Sequence, residues 1–389
     1  PQGAQLPAIP WDRYPRPQMK RDSFLNLNGE WEFTAQKENW IPKEYDLSIR
    51  VPFCPESELS GVGYKDFMEA VWYRRTFTLP KEAQGKRVLL HFGAVDQSCT
   101  VTVNGIQVGG HDGGYLPFSL DVTDALVSGA EQEIMVRVRD ISDTGYHSRG
   151  KQTLDRGGIW YTAQSGIWQT VWLESVPRTS ISRLVLVPDL ESVSVTVLLD
   201  GENDDALSAA ITVSAGGRTV ADAVVVPGEA VRIPVPDPHL WTPEDPFLYD
   251  LDVQLLSGGR TVDSVRSYTG LRTFGTGPDE RGHTRLLLNG KPYFHAGLLD
   301  QGYWPDGLYT APSDAALVYD IQTAKDLGFT MLRKHIKIEP LRWYYHCDRL
   351  GMIVWQDMVC GGKYFIPMTQ QYLPFIGIHL RDDRHYSWM

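Results

Sequence analysis

The sequence predicts a multidomain, mainly β protein: two antiparallel β-sandwiches in series, then a segment in which strands alternate with helices. Apolar and polar residues alternate in short runs over residues 26 to about 174 and again over 181 to about 272, the period of a half-buried strand. After about residue 275 the rhythm becomes strand, helix, strand, which implies a parallel sheet with right-handed crossovers, either doubly wound or a barrel. The 389 residues also exceed what one hydrophobic core usually organises, about 250 to 300 residues.

In the first region, Asn28-Gly29 and Asn104-Gly105 read as tight turns, because both residue types accept the positive φ of hairpin connections. The loops at 51–70 and 140–164 are long for a compact domain and are read as ligand-contacting segments. The second region holds about seven short strands in roughly 95 residues, the pattern of an immunoglobulin-like sandwich. It contains no Cys, so no inter-sheet disulfide is expected there.

In the third region KPYFHAGLL, residues 291–299, reads as a buried strand. Ser313 caps a helix that presents Leu317, Ile321 and Ala324 on one face, with Gly328 just past its end. FTMLRK is the second strand; Pro340 sits at the first turn of a helix over 341–350, stopped by Gly351, and MIVWQD is the third strand. No phosphate-cradling glycine fingerprint follows the first strand, which counts against a dinucleotide fold. Residues 277–389 number 113, whereas a complete (β/α)8 barrel takes about 250. The stretch 359–389, carrying Tyr364, Phe365, Tyr372, Phe375 and Trp388, reads as a long loop after the third strand, cut off in mid-course.

A net charge of −11 and the absence of any basic run disfavour a grip on nucleic acid, which needs clustered Lys and Arg. No apolar run approaches the roughly 18 to 20 residues of a membrane helix, so no membrane partner is expected. Cys54, Cys99, Cys347 and Cys360 lie far apart without zinc-ligand spacing and read as free thiols; no cofactor or metal is expected. Residues 1–10 carry neither the basic nor the apolar stretch of an export signal, and a cytoplasmic location is the expectation. The 12 Trp and 18 Tyr suit both sandwich cores and stacking on sugar faces.

Several motifs, in this order, resemble glycoside hydrolase family 2, the family of β-galactosidases, β-glucuronidases and β-mannosidases. They are LNGEW at 27–31, VPFCPES at 51–57, VWYRRTF at 71–77, VNGIQVGGHDGGYLPFSLDVT at 103–123 and SGIWQTVWLE at 165–174. LWTPEDPFLYDLDVQL at 240–255 and LLLNGKPYFHAGLL at 286–299 continue the series. The resemblance implies a jelly-roll-like, sugar-binding β-sandwich over 1–177, an immunoglobulin-like β-sandwich over 178–276, and the N-terminal portion of a (β/α)8 TIM barrel over 277–389. Its barrel signature places an Arg on strand two and an Asp in the next helix, matched by Arg333 and Asp348. The chain departs from it at His335, Ile336, Lys337 and Ile338, where family β-galactosidases carry a Ser-His-Tyr-Pro stretch. It departs again at Leu299, Asp300, Gln301 and Gly302, in place of Asn-Arg-His-Glu.

Active sites of such barrels lie at the C-terminal strand ends. The residues there are Asp300, Gln301, Tyr303 and Trp304 after strand one, Arg333, Lys334 and His335 after strand two, and Trp355, Gln356 and Asp357 after strand three. By resemblance the loop carrying Asp155, Arg156, Trp160 and Tyr161 reaches the barrel mouth. Together they make one rim of a pocket for a carbohydrate substrate. Asp300 and Asp357 either accept sugar hydroxyls or pair with Arg333 or Lys334 in an ion cluster; Trp304 and Trp355 either stack on sugar or pack in the core; His335 serves as ligand or scaffold. Retaining hydrolysis of a β-glycoside needs two carboxyls about 5 to 5.5 Å apart, and by resemblance these are glutamates after strands four and seven. No catalytic residue is therefore assigned within this chain. Binding carbohydrate without turnover is the alternative. The exposed strand edges of three barrel strands would also favour a homo-oligomer.

Overall fold

The computed structural model describes residues 5–36, 40–66, 68–145, 147–201 and 206–361. The first 150 or so of these build two antiparallel sheets. One orders Leu47–Val51, Gly29–Ala35, Ala70–Phe77, Gln132–Arg139, Ser98–Val103 and Ile106–Asp112; the other orders Leu25–Asn26, Val171–Val176, Arg87–Phe92 and Phe118–Asp121. Period-two burial explains the pairing. In Gly29–Ala35 the side chains of Trp31 and Phe33 turn inward while Glu30 and Glu32 face solvent. Trp31 lies opposite Ile49 and Phe33 opposite Tyr73, so rings meet branched and aromatic partners in the inter-sheet layer. Each such side chain contributes about 1.5–3 kcal/mol by leaving water.

The two turn signals part company. Asn104 (φ 48) and Gly105 (φ 80) make the expected hairpin between Ser98–Val103 and Ile106–Asp112. Asn28-Gly29 does not. Its flanking strands belong to different sheets, and Asn28 is fully buried, donating to Pro10 O and Thr170 Oγ1 and accepting from the Val171 N–H. The N-terminal segment crosses here, so close that a Cβ at Gly29 would meet Ala8 O at 2.8 Å.

Seven strands follow in two sheets: Ser180–Pro188, Ser192–Asp200 and Ala230–Pro234 against Arg218–Val225, Leu207–Ala215, Tyr249–Ser257 and Arg260–Thr269. Val193, Val195, Ile211, Val213, Leu251 and Val253 fill the space between them. This is the mainly β sandwich architecture that the alternation predicts.

The third region begins with a small antiparallel sheet, Phe274–Pro278, Thr284–Leu288 and Lys291–Pro292. Three parallel strands then run Gly297–Asp300, Met331–Lys334 and Ile353–Gln356, placing Asp300, Lys334 and Gln356 side by side. They are linked by α1 (Asp314–Asp326) and α2 (Leu341–Leu350). Ser313 caps α1 by accepting from the Ala316 N–H, and Gly351 ends α2 with φ 76. Leu317, Ile321 and Ala324 of α1 pack with Trp343 and Cys347 of α2.

The expected buried strand at 291–299 is corrected. It divides into Lys291–Pro292 and Gly297–Asp300, and Phe294 and Leu299 are 86% and 52% exposed, because no described residue covers that face of the parallel sheet. The loop at 51–70 is also reassigned in part: Phe53 and Leu59 join Trp11 in the core against α1. All four cysteines are unpaired. Tyr364, Phe365, Tyr372, Phe375 and Trp388 lie outside the described residues.

Candidate functional site

Parallel pairing brings the ends of the three strands together, and with them eight of the residues singled out from sequence. Asp300 accepts from the Gly302 N–H at 2.9 Å through Oδ1, while its Oδ2 lies 2.8 Å from Lys334 Nζ. Lys334 also donates to Glu339 at 2.8 Å, and Glu339 lies 2.9 Å from Lys337 Nζ. Lys337 donates to the carbonyls of Gly302 (2.6 Å) and Tyr309 (2.8 Å), so this ion chain pins the loop after strand one.

Both lysines are buried to 1% exposure. Burial alone lowers the pKa of each. For Lys334 the adjoining Glu339 and Asp300 carboxylates outweigh it and hold the ammonium above its ordinary value. For Lys337 burial wins, and its pKa falls to about 8. Lys334 lies over the Trp343 ring at 4.3 Å and Lys337 over Tyr309 at 4.7 Å, which restores part of the lost hydration.

A second cluster is more open. Arg333 Nε donates to Asp357 Oδ1 at 3.0 Å, and His335 Nδ1 lies 2.7 Å from Asp357 Oδ2. Partial burial raises the Asp357 pKa, but the hydrogen bonds from Arg333 and His335 outweigh it and keep the carboxylate ionised at neutral pH. Gln356 is engaged with Tyr344 Oη and with the carbonyls of Lys337 and Asp357. Gln301 Oε1 is buried with no partner among the described residues. Trp355 is 43% exposed and donates to His295 Nδ1 at 2.9 Å.

The loop from the first sandwich does arrive at strand one: Tyr161 stacks on Tyr303 with centroids 3.8 Å apart and planes at 11°. Trp160 closes a tight turn with Gly157 on the same loop. Asp155 and Arg156 are exposed. Trp304 leans against the core that holds Trp11 and Phe53. Asp348, which the family resemblance placed in the barrel signature, sits at another seam: it accepts from Tyr268 Oη at 2.9 Å and Arg272 Nη2 at 2.6 Å, joining the second sandwich to α2.

The root of the Tyr161 loop holds buried carboxyls that the sequence reading missed. Glu56 accepts from Ser165 Oγ (2.7 Å) and from the Ser165 N–H (3.1 Å); Asp96 accepts from Gln152 Nε2 (2.8 Å); Asp140 accepts from the Ser142 N–H (2.7 Å), with His147 Nε2 3.7 Å away. Burial pushes the pKa of Glu56 and of Asp140 up to about 7 and that of Asp96 well above its ordinary value. The missed members of the ion chain, Lys337 and Glu339, carried no signal in KHIKIEP, whose alternation would turn Ile336 and Ile338 inward instead.

Chemically, the strand ends offer fixed donors and an open carboxylate, Asp357, beside aromatic faces. Among the described residues no group of three or more His, Cys, Asp or Glu is placed to hold a metal ion, and no helix is long and apolar enough to cross a membrane.

Residues 58–177 match the family model described as glycosyl hydrolases family 2, sugar binding domain, and residues 179–272 match glycosyl hydrolases family 2. A putative beta-glucuronidase of Formosa agariphila is 30% identical over 375 residues, covering 90% of this chain and 43% of that protein. A beta-galactosidase of Thermoanaerobacter pseudethanolicus is 27% identical over 364 residues, covering 87% and 47%. The chain thus spans somewhat less than half the length of these relatives. The solved beta-glucuronidase of Bifidobacterium dentium, complexed with coumarin-3-O-glucuronide, superposes with a TM-score of 0.74 at 22% identity, covering 89% of this chain and 62% of that one. That likeness is one of fold. The two family matches run consecutively over more than half the sequence, in the order of its motifs, and the chain belongs to glycosyl hydrolase family 2.

Proposed function

We propose that the protein to which this chain belongs hydrolyses O-glycosidic bonds of β-glycosides with retention, and that this chain frames the glycone side of the pocket. The division of labour would follow the three regions at 1–177, 178–276 and 277–389. Asp300, Gln301, Arg333, Lys334, His335, Trp355, Gln356 and Asp357 form the rim, with Trp160 and Tyr161 closing it from the sandwich and Asp155 and Trp304 outside direct contact.

The observation that carries this reading is the convergence on one strand-end face of a buried ion chain, an open Arg333–Asp357–His335 cluster and the Tyr161–Tyr303 stack. Ion pairs leave the outward N–H groups of Arg333 and His335 fixed in direction, which suits hydroxyls. They also leave Asp357 ionised and Asp300 bonded to Lys334, so neither suits a protonated general acid. The reaction carboxyls are assigned to residues outside this chain. The test assays this chain and any longer reading-frame product on a panel of nitrophenyl β-glycosides. Turnover confined to the longer product is expected; turnover by residues 1–389 alone overturns the assignment.

The locked state of Asp300 and Asp357 favours one second reading, carbohydrate binding without turnover. Calorimetry of this chain with oligosaccharides would then saturate, and flat titrations across a broad panel would refute it.

A further inference from the structure

The N-terminal segment, the first sandwich and the start of α2 border a partly open cavity of about 110 Å³ beside the strand-end ion chain. Its walls are largely rings and prolines, among them Trp11, Tyr115, Trp168, Trp172, Pro15 and Pro117. Their polar atoms are directed elsewhere. The indole N–H groups of Trp11, Trp168 and Trp172 donate to Ala311 O, Gly114 O and Glu174, and Tyr115 Oη bonds Tyr309 Oη. Thr310 Oγ1 is held by the Trp168 carbonyl, Arg342 by Asp314, and Glu339 by Lys334 and Lys337.

Gln169 is the exception. It lines the cavity, is 8% exposed, and its amide makes no hydrogen bond among the described residues. Gly93 opposite leaves it room, since a Cβ there would fall 2.6 Å from Gln169 Cβ.

These walls select by chemistry. A sugar would bury several hydroxyls against one available amide, each unmet group costing about 1–3 kcal/mol. A charged ligand would be buried with no counter-ion to spare. An apolar cavity of this order stays dry and takes benzene-sized guests; one of about 150 Å³ does so. We propose that this cavity is a binding site for a small neutral aromatic molecule of the phenol class, its ring against the apolar wall that Trp11, Pro15, Leu116 and Pro117 present and its hydroxyl on the Gln169 amide. A bound ring would touch the N-terminal segment, the sandwich and α2 at once, and so strengthen their packing. The proposal is independent of the glycosidase reading.

The test titrates this chain with phenol, benzene and methyl β-D-glucopyranoside by calorimetry, with melting temperature as a second readout. Phenol should bind saturably and raise the melting temperature with concentration. Benzene should bind roughly 5- to 10-fold more weakly, the loss of about one hydrogen bond, and the glucoside should not compete with either. Gln169→Leu should bring phenol to the affinity of benzene. Leu116→Trp, which fills the cavity, should abolish both and so separates this site from the Tyr161–Tyr303 stack. If that variant fails to fold, the phenol-to-benzene ratio in Gln169→Leu decides. No saturable heat with either aromatic, undiminished binding in folded Leu116→Trp, an unchanged ratio in Gln169→Leu, or displacement by the glucoside would each overturn the proposal.

Discussion

Replacing Glu56 by Gln keeps the shape of a buried side chain and removes its ability to ionise. In the folded chain the Glu56 carboxyl is enclosed at the root of the Tyr161 loop, and burial raises its pKa from 4.5 to about 7. The folded state therefore holds a proton that the unfolded chain releases between about pH 4.5 and 7. Stability tied to this proton is fully present below the ordinary carboxylate range and is lost as pH rises through about 7. At roughly 1.4 kcal/mol per pH unit, the loss from pH 5 to pH 8.5 is about 3 kcal/mol for this group alone. At pH 5 the substitution should cost about 1 kcal/mol, one impaired hydrogen bond to Ser165. At pH 8.5 the variant should be the more stable protein, by about 2 kcal/mol. Urea denaturation of both proteins at pH 5, 7 and 8.5 measures the crossing. Parallel pH profiles would refute the reasoning, because they would mean that Glu56 titrates alike in both states.

Glu174 should behave in the opposite sense: Arg16, Tyr14 and His91 outweigh burial and hold its pKa at about 2, so its stabilisation exists above the ordinary carboxylate range and is lost as pH falls through about 2. Glu174→Gln is expected to cost about 3 kcal/mol at pH 6 and little near pH 2, read from denaturation midpoints. Asp348→Asn removes the charged partner of Arg272 and Tyr268 and should cost about 1.5–3 kcal/mol, measured as a lowered urea midpoint. Ser313→Ala removes the α1 cap and should cost about 1 kcal/mol in the same assay. The exposed Phe294, Leu299, Trp355 and Met358 should drive self-association, visible as a concentration-dependent mass in light scattering; a monodisperse monomer would contradict it.

What was legible in the sequence was whatever local chemistry decides. The Asn104-Gly105 hairpin, the Ser313 cap and the stop at Gly351 each follow from a backbone preference carried by one or two residues. The failures lie where distant chain decides. Asn28-Gly29 has hairpin composition, yet Asn28 is consumed by Pro10, Thr170 and Val171, contacts 18 to 143 residues away. The run 291–299 is apolar enough for a buried strand, but burial depends on what covers it rather than on its own pattern. Trp304 illustrates the ambiguity of aromatics: a Trp at a strand end can stack on sugar or pack in the core, and part of its ring lies against the core that holds Trp11 and Phe53. Lys337 and Glu339 escaped notice because burial of opposite charges depends on a three-dimensional pairing that spacing along the sequence does not show.

The strand-end charges make sense as a device for direction rather than stability. Arg333, Lys334 and Lys337 face Asp300, Glu339 and Asp357, so the acidic and basic groups balance. Burying such a set costs several kcal/mol per ion, and apolar residues of equal volume would often be as stable. Apolar residues would not fix the loop after strand one, whereas Lys337 holds two of its carbonyls within 2.6 and 2.8 Å. That loop carries Tyr303, on which the sandwich rests Tyr161, so the ion chain sets where the first region meets the third. Because Lys337 has its pKa lowered to about 8, the tie is also the part of the network closest to losing its charge. With burial raising the Glu56 and Asp140 carboxyls to about 7 under the Tyr161 loop, raising the pH through 7 to 8 is expected to loosen the Tyr161 contact, read as faster amide hydrogen exchange over residues 152–164; an unchanged exchange rate pattern would refute it.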